Sequence, residues 1–595
     1  MPEPLIMMRQ RLRYLYGHSD GDRAFFDLEG LLRRFGALAR LAAAGRFDQS
    51  DMFLITYGDT FIASRRAPLA ALHSFATRHL AGRVSGIHIL PFFPYSSDYG
   101  FSVVDYLRVN PEIGTWDDIL NIHSDFQLMF DFVLNHVSVQ SAWFRAFLRG
   151  EAPYDEFFIT ADPHTDLSRV TRPRNSPLLT PFETTRGKQW VWTTFSDDQV
   201  DLNYRNPKVL LAMVEVMLRY VEQGADLLRM DAVGFLWKEP GTACINLPQA
   251  HEVVKLLRDV LDAVAPDVAI VTETNVPHRD NISYFGNGND EAQMVYQFPL
   301  PILVLDAFVR GNSNHLSKWA AELAVPSDRT VFFNFLASHD GIGVVPANGI
   351  LSGEEIANLV RRVCERGGEV SYKTNPDGSE SVYEFNITFF DALSSPHDSE
   401  ERWDTKLDRF LCSQAIMLGL SGVPGIYAHS LLGSHNDYAA YEKSKWKRDL
   451  NHEQLNLPEL ERKLADPESD AARVFAGYTH LLTVRRQQSA FHPSSPQKVF
   501  FVGPTIFAFQ RGPFGGQTIV ALHNISAAAQ VVDPRSLQLG RGRYRDLLGG
   551  QRYRSDEAIR LSPYEVMWLE YSATDVVGEE MFELSKGLEN NPTLS

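Results

Sequence analysis

Cysteine is scarce in this chain, and charge of one sign is concentrated nowhere. The 595 residues include three cysteines, Cys244, Cys364 and Cys412. Scattered without a CxxC pair, they exclude a disulfide-stapled scaffold and offer no zinc cluster. A reducing compartment suits them, and the cytoplasm is the expected location. Lys and Arg total 57 against 74 Asp and Glu, a net charge of -17 with no basic run, which argues against a nucleic-acid partner. Long hydrophobic runs are also missing. The opening MPEPLIMMRQRLRYLYGHSDGD is interrupted by Arg9, Arg11 and Arg13 before a signal-like apolar segment forms. No later stretch approaches the roughly 20 apolar residues of a membrane span. Internal repeats and low-complexity tracts are absent too. These exclusions leave a soluble chain, long enough for one large domain with satellites or for three or four ordinary domains.

What is present is an alternation of short β-rich apolar runs with helix-period stretches, the pattern of βα units on a parallel sheet. Eight runs qualify as strands: DMFLITYG from 51, GIHILPFF from 86, FQLMFDFVL from 126, GADLLRMDA from 224, DVAIVTET from 267, MVYQFPLP from 294, TVFFNFLASHD from 330 and GVPGIYAH from 422. Eight such units predict a (β/α)8 TIM barrel. The expected division is an N-terminal helical extension over 1–50, barrel segments over 51–136, 206–344 and 406–489, an inserted domain B over 137–205 and an inserted acceptor-loop region over 345–405. Insertions of that length are usually functional. Beyond about 490, short strands such as KVFFVG, TIFAFQRG, TIVALHNIS and EVMWLEY with Gly-rich turns predict a C-terminal β-sandwich over 490–575, and 576–595 reads as a loosely held tail.

Barrel enzymes carry their chemistry at the C-terminal ends of the strands. In LLRMDAVGF, Arg229 and Asp231 stand two positions apart, so they share one face of a buried strand. Asp131, Asn135 and His136 end the third run, Glu273 the fifth, and His339 and Asp340 the seventh, while Asp98 follows the second. Any one of these is as readily a cap, an ion pair or a satisfied core histidine. Three acids and two histidines on one rim are harder to assign to structure alone.

DFVLNH, LLRMDAVGF, VTETN and ASHD, in this order, resemble the signature segments of the α-amylase superfamily, glycoside hydrolase family 13. PFFPYSSDYGFSVVDY, VWTTFSDDQVDLNY, RMDAVGFLWKEPGTACI, YEFNITFFDAL and GVPGIYAHSLLGSHND look closer still to its sucrose phosphorylase branch. The resemblance implies a retaining α-glucoside phosphorylase giving glucose 1-phosphate. Such chemistry needs a nucleophilic carboxylate and a protonated acid about 5–5.5 Å apart. By motif position Asp231 is the nucleophile, Arg229 keeps it ionised, Glu273 is the acid/base and Asp340 the third acid. His136 and His339 would donate to glucose hydroxyls, Asp98 and Arg448 would clamp the far end of the sugar, and Phe195 and Phe235 would line it. Arg448 is the looser match, since the branch reads Asn-Arg-His where this chain has Asn451, His452 and Glu453. Arg174 in TRPRNSP matches the phosphate-side arginine, with Tyr383 and Glu384 on the acceptor side.

The resemblance implies no metal and no cofactor, only inorganic phosphate as co-substrate; Asn135 in an amylase would invite a metal, but none is carried over. The expected partners are a small glucoside and phosphate, with a homodimer as the expected assembly and no membrane. Two departures bear on the aglycone. About 50 residues precede the first strand, a feature resembling the phosphorylases of glucosylglycerol, glucosylglycerate or sucrose 6-phosphate. Glu384 stands where sucrose phosphorylases carry Gln, and a free carboxylate there would welcome a polyol and repel an anion, which favours glycerol. Sucrose, glucosylglycerate and sucrose 6-phosphate remain alternatives. So do a hydrolase or transglucosidase of the same superfamily, and a non-catalytic relative, against which the intact Asp231, Glu273 and Asp340 argue.

Overall fold

The structure, a computed structural model, describes residues 3–36, 47–375, 377–394, 400–538 and 542–572. Each of the eight apolar runs forms a strand: Phe53–Thr56, Gly86–Ile89, Gln127–Val133, Leu227–Asp231, Ala269–Thr272, Met294–Tyr296, Val331–Asn334 and Val423–Tyr427. All pair in parallel and close into a barrel in chain order, the first strand bonding both the second and the last. The barrel floor closes because two strands present glycine to the interior. Phe53 lies opposite Gly86 and Gly425. A Cβ on Gly86 would come within 2.3 Å of the Phe53 ring, and one on Gly425 within 2.4 Å of Phe333. Those two rings meet edge to face at 6.3 Å and fill the space the glycines leave.

The insertion after the third strand is small and β-rich. His136–Ser138 pairs with Gln199–Asp201, and Leu179–Thr184 forms a hairpin with Gly187–Trp192. The insertion after the seventh strand contains the helix Gly353–Glu365 and the strands Glu369–Thr374 and Glu380–Asn386, which join Ile342–Gly343 in a three-stranded sheet. The N-terminal extension is the helix Glu3–Phe35, interrupted at Gly17 (φ 77°). It forms an outer layer on the barrel helices Pro207–Glu222 and Pro248–Val264, pinned where Arg11 bonds Asp259 at 2.7 Å and Glu252 at 2.9 Å. Residues 37–46 of the expected helical extension lie outside the described residues, as does the tail.

The C-terminal unit is a six-stranded antiparallel sheet with a separate two-stranded one. A buried arginine ties it to the barrel: Arg511 donates to Gly419 O at 2.9 Å, where the helix Trp403–Gly419 ends and leaves carbonyls without helical partners, and Arg485 of the barrel's last helix takes Leu418 O beside it at 2.7 Å. Among the described residues, no helix is long and apolar enough to cross a membrane.

Candidate active site

The strand ends converge on a cavity of about 300 Å³. Asp98, His136, Arg174, Phe195, Asp231, Phe235, Glu273, His339, Asp340, Tyr383, Glu384 and Arg448 all line it. Arg229 lies beneath. The barrel register sets the arrangement: Thr272 is opposite Met230, so Glu273 stands beside Asp231, and Arg229 is opposite Asp131. Alternation places Arg229 and Asp231 on the same inward face.

Arg229 is fully buried and its Nη1 serves two acids, Asp131 Oδ1 and, at 3.0 Å, Asp231 Oδ1. His88 holds the other Asp131 oxygen at 2.7 Å. Burial opposes ionisation of Asp131, but Arg229 and His88 outweigh it and hold its carboxyl below the usual range. Asp231 and Glu273 differ from it. Burial pushes both up and Arg229 draws both down, while Glu273 adds to the rise at Asp231 and Asp340 to the rise at Glu273. The pair therefore holds a proton more readily than separate carboxylates would. Arg229 contacts Asp231, whereas Glu273 accepts from the Ala232 amide at 3.2 Å, so the two carboxyls face different donors. Ala232 adopts a left-handed conformation (φ 51°), which turns the chain sharply just after Asp231.

Asp340 is set against cations. Burial alone would raise it, but Arg448 at 2.6 Å, with Arg229 farther off, holds it well below the usual carboxylate range. His339 is neutral, its pKa drawn down to about 3 by burial, and stacks on Phe101 at 4.9 Å. Arg448 also donates to both oxygens of Glu384, at 3.2 and 3.1 Å. It is therefore a half-buried bridge between two acids at the cavity wall. The same geometry corrects the expectation for Glu384. That residue is 2% exposed, its charge is taken up by Arg448, and Arg174 approaches it at 3.9 Å, so it is not a free carboxylate awaiting a polyol.

Asp98 sits in a turn where Asp98 (φ 52°) and Tyr99 (φ 51°) are both left-handed, and Gly100 follows because a Cβ there would lie 2.5 Å from Pro91 O. The strained turn aims Asp98 into the cavity, where Gln199 donates to it at 3.0 Å. Phe195 and Phe235 meet edge to face at 5.4 Å and form an aromatic wall. Across the mouth, Asn175 of the first insertion bonds Glu380 at 3.1 Å and Thr374 at 2.8 Å in the second. The Arg174 guanidinium lies 5.9 Å from the centre of the Tyr383 ring.

Sequence reading missed four residues here. Gln199 falls within the quoted VWTTFSDDQVDLNY, where its place two residues before Asp201 was the available signal. Lys373 lines the cavity from a strand without a motif. His452 bonds His339 O at 2.6 Å from the very NHE departure noted above. Lys238, in FLWK, is a buried cation inside an apolar run.

Residues 82–341 match the model of the α-amylase catalytic domain. The chain is 50% identical over 568 residues to a glucosylglycerate phosphorylase of Allomeiothermus silvanus, covering 96% of this chain and 99% of that protein. It is 28% identical to a glucosylglycerol phosphorylase of Marinobacter adhaerens, covering 67% of this chain and 81% of that protein. Among solved structures, sucrose 6F-phosphate phosphorylase from Thermoanaerobacter thermosaccharolyticum superposes with a TM-score of 0.71 at 22% identity, over 88% of this chain and 99% of that one, a likeness of fold.

Proposed function

This chain belongs to the α-amylase family, as one of its glucoside phosphorylases, and from that premise we propose that its glucoside is glucosylglycerate. The observation that carries the reading is the end-to-end likeness, at 50% identity, to a glucosylglycerate phosphorylase. The glucosylglycerol expected from Glu384 is supported less, by a 28% likeness over 67% of the chain. Its physical premise also fails, because the Glu384 carboxylate is bound on both oxygens by Arg448.

The charges at the mouth favour an anionic aglycone. Arg172, Arg174 and Lys373 line the cavity there. Burial pushes the Lys373 ammonium down, a penalty that an incoming carboxylate or phosphate would relieve. Guanidinium groups suit both anions because they can bind two oxygens at once.

In this reading Asp231 attacks C1 of glucose as the bond from C1 to the glycerate oxygen breaks, and Glu273 gives its proton to that oxygen. Glycerate leaves and phosphate takes its place. A phosphate oxygen then attacks C1 from the opposite face, Glu273 accepts the phosphate proton, and Asp231 is released. Two inversions give α-glucose 1-phosphate with retained configuration. Asp340, ionised through Arg448, faces the positive charge that develops on the sugar ring.

The test is a panel of glucosylglycerate, glucosylglycerol, sucrose and sucrose 6-phosphate, each with and without phosphate, reading glucose 1-phosphate. Glucosylglycerate should give the highest kcat/KM. A higher value for glucosylglycerol would overturn the substrate, and equal sugar release without phosphate would favour hydrolysis.

A further inference from the structure

Lys238 takes no part in the chemistry above, yet it is 4% exposed. Its ammonium faces oxygens from three parts of the chain: the Asp201 carboxylate of the first insertion at 2.5 Å, Asn135 Oδ1 at the end of the third barrel strand at 2.7 Å, and the carbonyl of Phe235 in the cavity wall. Asp201 is held in turn by the amide and hydroxyl of Thr194, at 2.9 and 2.6 Å.

The donor and acceptor roles in this cluster propagate in one direction. An ammonium can only donate, so Asn135 Oδ1 is fixed toward Lys238 and the Asn135 amide nitrogen must face away. There it meets Asp201 Oδ2 at 3.2 Å and His136 Nδ1 at 3.2 Å. An amide nitrogen also only donates, so His136 must accept at Nδ1 and carry its proton on Nε2. Nε2 lies 3.0 Å from Phe101 O, beside the cavity that both residues line.

We propose that Lys238 is a positioning residue that acts on His136 through the Asn135 amide, which holds Nδ1 as an acceptor while Phe101 O holds Nε2–H at the edge of the sugar cavity. The same ammonium joins the inserted domain to the barrel rim. The inference depends on the place of His136 in the cavity and not on which glucoside is used, and its first readout needs no substrate.

In the wild-type enzyme labelled with 15N-histidine, and with the His136 resonances identified by their loss in His136→Gln, the ring should be neutral with its proton on Nε2. A proton on Nδ1 overturns the proposal. Asn135→Asp places a carboxylate oxygen against Nδ1 and should draw a proton onto it; an Nδ1 that still carries none overturns the proposal as well. Lys238→Met keeps the side-chain length without N–H donors and should lower kcat/KM about a hundredfold, the scale of a small misplacement at a reacting centre. Activity within about threefold of wild type overturns the positioning role. In Lys238→Ala, ethylammonium should restore activity about tenfold, the worth of one hydrogen bond. Tetramethylammonium, with no N–H, should restore none. Equal rescue by both cations overturns the relay, and if neither lysine variant folds, the wild-type and Asn135→Asp spectra decide.

Discussion

The backbone amide of Ala232 donates to Glu273 Oε2 across 3.2 Å. The residue that follows the proposed nucleophile thus holds the proposed acid/base, and the left-handed turn at Ala232 is what brings the amide within reach. Neither acid's setting is independent of the other, which shapes what substitutions at each will do.

Asp231→Ala should lower turnover by about 10⁴-fold or more, because no glucosyl-enzyme can form. Thermal unfolding should remain cooperative, since Arg229 keeps Asp131 as a partner. Turnover within tenfold of wild type would refute the nucleophile assignment.

Glu273→Gln should slow reaction of the natural glucoside by about 10²–10⁴-fold, the usual worth of a general acid. α-Glucosyl fluoride, whose leaving group needs no proton, should lose far less, and a glucosyl adduct on Asp231 should become visible by peptide mass analysis. Equal losses for both substrates would count against the acid role. Burial pushes Glu273 up, and because it acts protonated in the first step, kcat/KM for the glucoside should fall as pH rises through that raised value. The basic limb should be missing from Glu273→Gln assayed with the fluoride.

Arg174→Ala and Glu384→Gln should change anion use in opposite directions. Losing the Arg174 guanidinium should raise the KM for phosphate and for glycerate by about tenfold to a hundredfold, the worth of a charge-assisted hydrogen bond, while hydrolysis changes little. Removing the Glu384 charge leaves Arg448 and Arg174 less neutralised, and the phosphate KM should fall roughly three- to tenfold. A rise in phosphate KM for Glu384→Gln would mean that the carboxylate matters mainly for aiming Arg448.

Asp131→Asn leaves the fully buried Arg229 with a weakened counter-charge and should destabilise the fold by about 3–5 kcal/mol. The folded-state pKa of Asp131 is depressed, so its contribution is present above the unfolded carboxylate value and lost as pH falls through the folded one. The gap in melting temperature between wild type and variant should be full at neutral pH and narrow as pH drops below about 4. A gap that widens in acid would contradict the ion-pair account.

Much of this molecule was legible without coordinates. Each of the eight strands follows from a local signal, a short β-branched or aromatic run between helical stretches, and barrel closure follows from their number. The acids of the site were readable too, because strand ends in a parallel barrel face one opening and local sequence fixes which residues end each strand. Glu384 shows where that reasoning stops. Its neighbours in YEFN gave no sign of Arg448, 64 positions away, and a carboxylate's effect on an acceptor depends on whether its charge is already balanced. The chain by itself determined the barrel, its insertions and which acids stand at the strand ends, because periodicity and strand-end position are local properties. Only the tertiary structure decided which charges neutralise one another, that Lys238 faces Asp201 and Asn135, and that Glu384 is bound by Arg448, because electrostatic pairing depends on distances between residues far apart in sequence.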